Sequence, residues 1–260
     1  MELILDDVTY KNILQNISLS INDGDVIALI GANGAGKTTL LNIMMGLQRP
    51  SNGIVNLTEG KIAAVFQNNI LDDELTVQQN LKCRIDDKVA CADALTRTKD
   101  YEINPKYSYA HISGGQKRIV NYLRAMAERP SLLILDELTA GIDAGMRKKI
   151  WDELNEYVNR TKCGIIFTTH LLDEVENANK VLFLENGSIK YFGDINVFLQ
   201  RMPKVKLVLA ETKEVRYFDS PGHAVHFLEN NHLENTDFEI LKTSYTDLFQ
   251  TMEEVNTYVR

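Results

Sequence analysis

Apolar positions along the chain follow two different rhythms. Residues 26–30 (VIALI), 132–135 (LLIL), 164–169 (GIIFTT) and 180–185 (KVLFLE) are apolar almost without a break. Short runs of this kind are what strands buried on both faces require. Between them the spacing is helical. It holds over residues 37–47, over a stretch carrying Ile119, Leu123 and Met126 that Pro130 ends, and over 144–158 and 171–178. Strands alternating with helices predict a parallel sheet covered on both faces, an α/β class. Residues 2–10 (ELILDDVTY) and 16–22 (NISLSIN) instead alternate partially and are rich in β-branched residues, with an Asn-Asp-Gly turn after them. They predict an antiparallel ribbon leading into the first buried strand. Residues 54–57 and 61–66 predict two further short strands, and Asn186-Gly187 a hairpin turn from 180–185 into 188–191.

Two segments depart from this rhythm. Over residues 68–112 the pattern reads as a small helical insertion. Thr76 and Gln79 form a capping box at the start of one helix, 86–98 suggests a second, and Asn104-Pro105 breaks what precedes it. Beyond about residue 200, strands at 205–210, 214–218 and 238–242 and helices at 222–230 and 245–255 predict a small α+β appendage. The expected division is therefore 1–200 and 201–260.

The loop between the first buried strand and its helix carries the strongest chemical signal. Residues 31–38, GANGAGKT, fit G-x-x-x-x-G-K-[ST] in the strand–loop–helix context that the phosphate-binding P-loop needs. Glycines at 31, 34 and 36 let the backbone curl around phosphate oxygens, and the following helix adds its N-terminal dipole. Lys37 is suited to the terminal phosphates and the Thr38 hydroxyl to Mg²⁺. A plain glycine-rich turn would not need that sequence between a buried strand and a helix.

Composition narrows the setting. A chain of 260 residues with 44% hydrophobic and 25% charged residues is ordinary for a globular protein. With a net charge of −8 and no Lys/Arg block, a nucleic-acid surface is not favoured. No apolar run approaches the roughly 18–20 residues of a membrane-spanning helix, and MELILDD does not resemble a signal peptide, so a cytosolic location is expected. Cys83, Cys91 and Cys163 lack metal spacing and read as reduced, buried thiols. His223, His226 and His232 lie close together, but surface histidines explain them more simply than a metal site.

Further polar residues stand at strand ends, where open parallel sheets bind ligands. Asp136, at the end of LLILD, is placed to hold Mg²⁺ beside the P-loop, and Glu137 to polarise an attacking water. His170 closes GIIFTT and reads as a γ-phosphate contact. Gln67 follows 61–66 and is suited to sensing metal or water. In residues 112–116, ISGGQ, Ser113 and Gln116 form a second capping box. Two glycines inside that first turn weaken the helix by up to about 1 kcal/mol each. Capping does not account for them, whereas close backbone approach to an anion does.

Taken together, these motifs resemble the ATP-binding subunit of ABC (ATP-binding cassette) transporters. GANGAGKT is similar to the family's Walker A, LLILDE to its Walker B and ISGGQ to its signature, with Ile112 in place of the usual Leu. Gln67 matches its Q-loop, His170 its H-loop, and Ala140-Gly141-Ile142-Asp143 its D-loop. The resemblance covers roughly residues 1–195. It implies a P-loop NTPase core with an antiparallel β subdomain, a short helical subdomain at 68–112 and the appendage. It also implies ATP and Mg²⁺ as cofactors. The nucleotide contacts implied are Tyr10, Asn33, Gly34, Ala35, Gly36, Lys37, Thr38 and Thr39, with Ser113, Gly114, Gly115, Gln116 and Asp143. Thr38, Gln67 and Asp136 would serve the metal, and Glu137, His170 and Gln67 catalysis.

Three departures stand out. Leu138 replaces a common Pro, the stretch from Gln67 to Ser113 is short for the family, and NPKYSYAH (104–111) stands where fused exporters have an acidic TEVGERG-like segment; LTVQQNL (75–81) in turn resembles the LTVRENL segment of stand-alone subunits, many of them exporters. The implied function is an ATPase that powers a separate membrane permease from the cytoplasmic face. It would pair in an ATP-dependent way with itself or with a second ATP-binding subunit. A soluble ABC ATPase acting on nucleic acid or ribosomes is the alternative, although it usually carries two cassettes, a coiled-coil insertion or zinc motifs. A non-hydrolysing regulatory cassette would be expected to lack Glu137 or His170.

Overall fold

The computed structural model describes residues 1–243 other than 69, 170, 201, 202, 211 and 235. The helix expected over 245–255 lies outside the described residues. The chain divides into two compact units, between Phe192 and Gly193. The expected boundary was residue 200, so the helix at Ile195–Gln200 belongs to the second unit.

The strands of the first unit are β1 (Glu2–Tyr10), β2 (Leu14–Asn22), β3 (Val26–Ile30), β4 (Asn52–Leu57), β5 (Ile62–Val65), β6 (Leu132–Asp136), β7 (Gly164–Thr168), β8 (Lys180–Glu185) and β9 (Ser188–Asp194), whose last two residues fall past the boundary. Its helices are α1 (Lys37–Met44), α2 (Val77–Arg84), α3 (Lys88–Arg97), α4 (Gly114–Ala127), α5 (Ala144–Thr161) and α6 (Leu172–Val175).

A six-stranded sheet runs β5-β6-β7-β3-β8-β9. Its pairs from β5 through β8 are parallel, in a register that sets Leu132 opposite Gly164 and Asp136 opposite Thr168. Every residue of β3, β6 and β7 is buried, which is the physical reason for their unbroken apolar sequences. A second sheet, β2-β1-β4, is antiparallel. One hydrophobic cluster unites its inner face (Leu5, Ile17) with α1 (Leu41) and alternate residues of the central strands (Ile27, Ile134, Ile166).

The insertion forms as expected. Thr76 caps α2 in a complete capping box with Gln79, and Asp87 caps α3 through the N–H groups of Val89 and Ala90. Asn80 is buried and ties back to the backbone of Asp72 in both directions. The insertion is fastened to α5 by Glu153, which accepts from Arg97 and, at 2.7 Å, from the Tyr101 hydroxyl. Two expectations need correction. The helix expected over 171–178 stops at Val175, because the N–H groups of Asn177 and Ala178 bond three residues back, to Glu174 and Val175, and close the segment as a turn. Cys83, on the outer face of α2, is exposed, while Cys91 and Cys163 are buried. Burial pushes the Cys163 thiol up to about 12.

The second unit holds α7 (Ile195–Gln200), β10 (Val205–Leu209), β11 (Val215–Phe218), α8 (Pro221–Asn230) and β12 (Phe238–Lys242). Its antiparallel sheet runs β11-β10-β12 around a small core of Val205, Leu207, Phe218, Ala224 and Leu228.

Candidate functional site

The P-loop folds as its glycines demand. Gly34 and Gly36 adopt φ +84° and +103°, and a Cβ on Gly36 would lie 2.8 Å from Leu14 Cδ2. The turn between β1 and β2 therefore sits on the loop. It carries Tyr10, which pairs with Leu14 in the sheet and is half-buried against the main core. The Lys11 ammonium lies 5.0 Å from the Tyr10 ring centroid. Within the loop, Ala35 accepts from the Gly187 N–H. Gly36 stands in the N-cap position of α1 with no side-chain cap, so Lys37, Thr38 and Thr39 open a helix whose first turn is left uncapped.

Lys37 curls back over this loop. Its Nζ donates to the carbonyls of Gly31 (2.6 Å) and Ala32 (3.0 Å). Burial lowers its pKa, and the nearby charges of Glu137 and Asp136 oppose that shift. Thr38 Oγ1 lies 3.5 Å from Asp136 Oδ2, and Gln67 Nε2 donates to Glu137 Oε2 at 3.0 Å. Asp136 is buried, and its carboxyl is raised above the ordinary range by burial. Hydrogen bonds from Thr168 and Thr38 and the Lys37 charge act against that rise, and Glu137 adds to it. Lys37, Thr38, Gln67, Asp136 and Glu137 thus form one connected cluster at the mouths of β3, β5 and β6.

A sixth residue, which no sequence motif singles out, joins this cluster. Thr168, the last residue of β7, donates to Asp136 Oδ1 at 2.7 Å and accepts the Glu137 N–H at 2.9 Å. In the sequence it is one residue inside the run 164–169 that His170 closes, with nothing to distinguish it. His170 itself lies outside the described residues.

The signature gathers elsewhere. Ser113 caps α4, with Gln116 closing the capping box. Asp143 of the D-loop likewise caps α5, accepting the Met146 N–H. A Cβ on Gly115 would sit 3.1 Å from the Gly141 carbonyl, whereas one on Gly114 would meet nothing within 4 Å. Gly115 thus packs closely on the D-loop, where a Cβ would need the Gly141 carbonyl to give by a few tenths of an ångström, whereas Gly114 faces open space. A cavity of about 420 Å³ lies here, lined by Gln67, Ser113, Gly114, Gly115, Ala140 and Gly141 among others. No P-loop residue lines it.

A hydroxyl and a carboxylate oxygen as near neighbours form the hard-oxygen pair that Mg²⁺ takes alongside substrate phosphates. The described residues contain no group of three or more His, Cys, Asp or Glu able to hold a metal by themselves. No helix among them is long and apolar enough to cross a membrane.

Comparison with known proteins agrees with this geometry. The family model described as ABC transporter matches residues 14–140. The bicarbonate transport ATP-binding protein CmpD of Synechocystis sp. is 30% identical over 236 residues, which cover 84% of this chain and 83% of that protein. The probable sulfate/thiosulfate import ATP-binding protein CysA of Chlorella vulgaris is 30% identical over 217 residues, 74% of this chain and 91% of that one. Among solved structures, an ATP-binding subunit of an ABC transporter superposes with a TM-score of 0.72 at 21% identity, covering 97% of this chain and all of that one. The chain belongs to the ATP-binding subunits of ABC transporters, and it is an ATPase.

Proposed function

We propose that this subunit works in pairs, each chain holding ATP and Mg²⁺ in its P-loop beneath the signature of the other, and that the pair drives a separate membrane permease from the cytoplasmic face. In this reading Lys37 contacts the terminal phosphates, Thr38 and Asp136 hold the metal, and Tyr10 stacks on the adenine. His170 contacts the γ-phosphate. The metal supplies charge neutralisation at the phosphates. Glu137 orients or deprotonates the attacking water, and the amide of Gln67 holds its carboxylate in place. Gln67 also lines the signature cavity, so it connects the catalytic acid to the face expected to meet the permease, on residues 68–112. Both directions of transport have support. A relative named for sulfate/thiosulfate import stands beside the exporter-like segment at 75–81.

The separation of the two halves of the site within one chain is what supports pairing. The cavity at the signature is lined by Q-loop, signature and D-loop residues and by none from the P-loop. A second P-loop can complete it.

The test uses Glu137→Gln, which keeps shape but removes the base. Light scattering should detect a dimer with ATP and Mg²⁺ and a monomer with ADP. Adding Ser113→Arg sets a bulky side chain where the phosphate must approach. It should abolish the dimer while ATP still binds the P-loop, with circular dichroism confirming that α4 survives loss of its cap. A dimer that persists in the double variant would refute the signature's role in pairing.

A further inference from the structure

At the end of β6 the chain needs two things at once. Asp136 must present one carboxylate oxygen towards Thr38, and the backbone must turn sharply to bring Glu137 into the site. Both depend on the neighbouring strand. Asp136 and Thr168 are the last partners in the β6–β7 ladder. Beyond them Glu137 adopts a left-handed backbone, φ +53°, which is uncommon outside glycine. Its N–H bonds to the Thr168 hydroxyl, 2.9 Å away.

That hydroxyl has a single proton. The proton goes to Asp136 Oδ1 at 2.7 Å, and a lone pair accepts the Glu137 N–H. Thr168 is only 4% exposed and Asp136 8%, so water competes poorly for either bond. With Oδ1 held, the carboxylate is fixed about its own axis and Oδ2 is the oxygen that faces Thr38, 3.5 Å away. One hydroxyl thereby sets the rotamer of the acid next to Thr38 and fixes the turn that carries the next acid.

We propose that Thr168 is a positioning residue for the ATPase. Without touching nucleotide or metal, it orients Asp136 for Mg²⁺ and holds Glu137 for the attack on ATP. The proposal rests on the reading of Asp136 and Thr38 as the metal-holding pair. A hydroxyl that merely satisfied two buried polar groups would affect folding alone. One that orients Asp136 affects nucleotide binding only when the metal is present.

The experiment uses the full chain with Thr168→Val, Thr168→Ser and wild type. Val is β-branched, fits a strand and matches Thr in shape, but lacks the hydroxyl. A fluorescent ATP analogue is titrated in Mg²⁺ and, separately, in EDTA. T168V should match wild type in EDTA and lose about tenfold of the affinity gained from Mg²⁺, the scale of one hydrogen bond to a charged group. Its hydrolysis should fall through kcat more than through KM, because Glu137 loses its anchor as well. T168S keeps the hydroxyl and should retain both properties. Its outcome is informative even if T168V does not fold, since a folded T168S without the magnesium advantage overturns the proposal. So does a T168V that keeps the wild-type advantage, or one weakened equally in EDTA and in Mg²⁺. A wild-type chain that gains nothing from Mg²⁺ overturns the metal reading of Asp136 itself, and the proposal with it.

Discussion

Replacing Lys37 with Ala tests the centre of the site, and the structure gives its expected size. An ammonium has three donors. Two are engaged on the P-loop's own carbonyls, Gly31 and Ala32, at 2.6 and 3.0 Å. The third is left for a phosphate oxygen, so binding ATP need not dismantle the loop. A hydrogen bond between charged groups contributes about 1.5–3 kcal/mol net, and the loss of two loop-shaping bonds adds to that, for a total of ~2–4 kcal/mol. The expected loss of ATP affinity is on the order of thirtyfold to several hundredfold. Beyond the two loop bonds, stability should change little. Burial already disfavours the Lys37 charge while Glu137 and Asp136 favour it, and removing the ammonium removes both effects.

Circular dichroism melts and nucleotide titration of wild type, Lys37→Ala and Lys37→Met provide the check. Met retains the length of the stem without the charge and should bind as poorly as Ala. Lys37→Arg should not restore affinity, since a planar guanidinium does not fit a site shaped for a compact point charge. A folded Lys37→Ala variant with wild-type affinity would refute the assignment of the loop.

Two further outcomes follow from the same reasoning. Tyr10→Ala should lose ~1–3 kcal/mol of ATP affinity, by analogy with base–aromatic stacking, while Tyr10→Trp retains it; equal titration curves for all three chains would make Tyr10 a core residue only. Glu153→Ala leaves Arg97, Tyr101 and Tyr122 without the carboxylate that joins them, so urea denaturation should show a loss of ~2–4 kcal/mol, and an unchanged midpoint would mean that the insertion is held by its apolar contacts.

The parts of this protein legible in its sequence are those fixed by local rules. VIALI, LLIL and GIIFTT announced strands covered on both faces because burial removes any need for alternation. Capping boxes at Thr76 and Ser113 were readable because their two hydrogen bonds lie three residues apart. The missing parts depend on neighbours distant in the chain. Thr168 looks like any β-branched strand residue until β6 and β7 are in register and its hydroxyl meets Asp136. Glu153 was one acid on a charged helix face, and only folding brings Arg97 and Tyr101 to it. In the sequence Gly115 looks, like Gly114, a place for an anion to approach. The carbonyl it must clear, that of Gly141, lies in another loop.

One helix end can serve two purposes. The first N–H groups of a helix have no partner within it. In α4, Ser113 Oγ takes the Gln116 N–H, and the Gln116 side chain takes the Ser113 N–H. The cap thus accounts for the outer donors, and Gly114 and Gly115 supply the remaining ones of the first turn. The two glycines divide the remaining work. Gly115 lets the helix start settle against Gly141, which fixes the signature relative to the D-loop and to α5, whose own cap is Asp143. Gly114 leaves the approach to those donors open. A side chain at 115 would crowd the Gly141 carbonyl, whereas one at 114 would leave the packing alone and, in the proposed reading, obstruct the anion. Capping, packing and phosphate recognition therefore make separable demands on four consecutive residues. A helix start carrying two destabilising glycines can in this way remain stable, and under the proposed pairing it is the place from which the nucleotide of a partner would be reached.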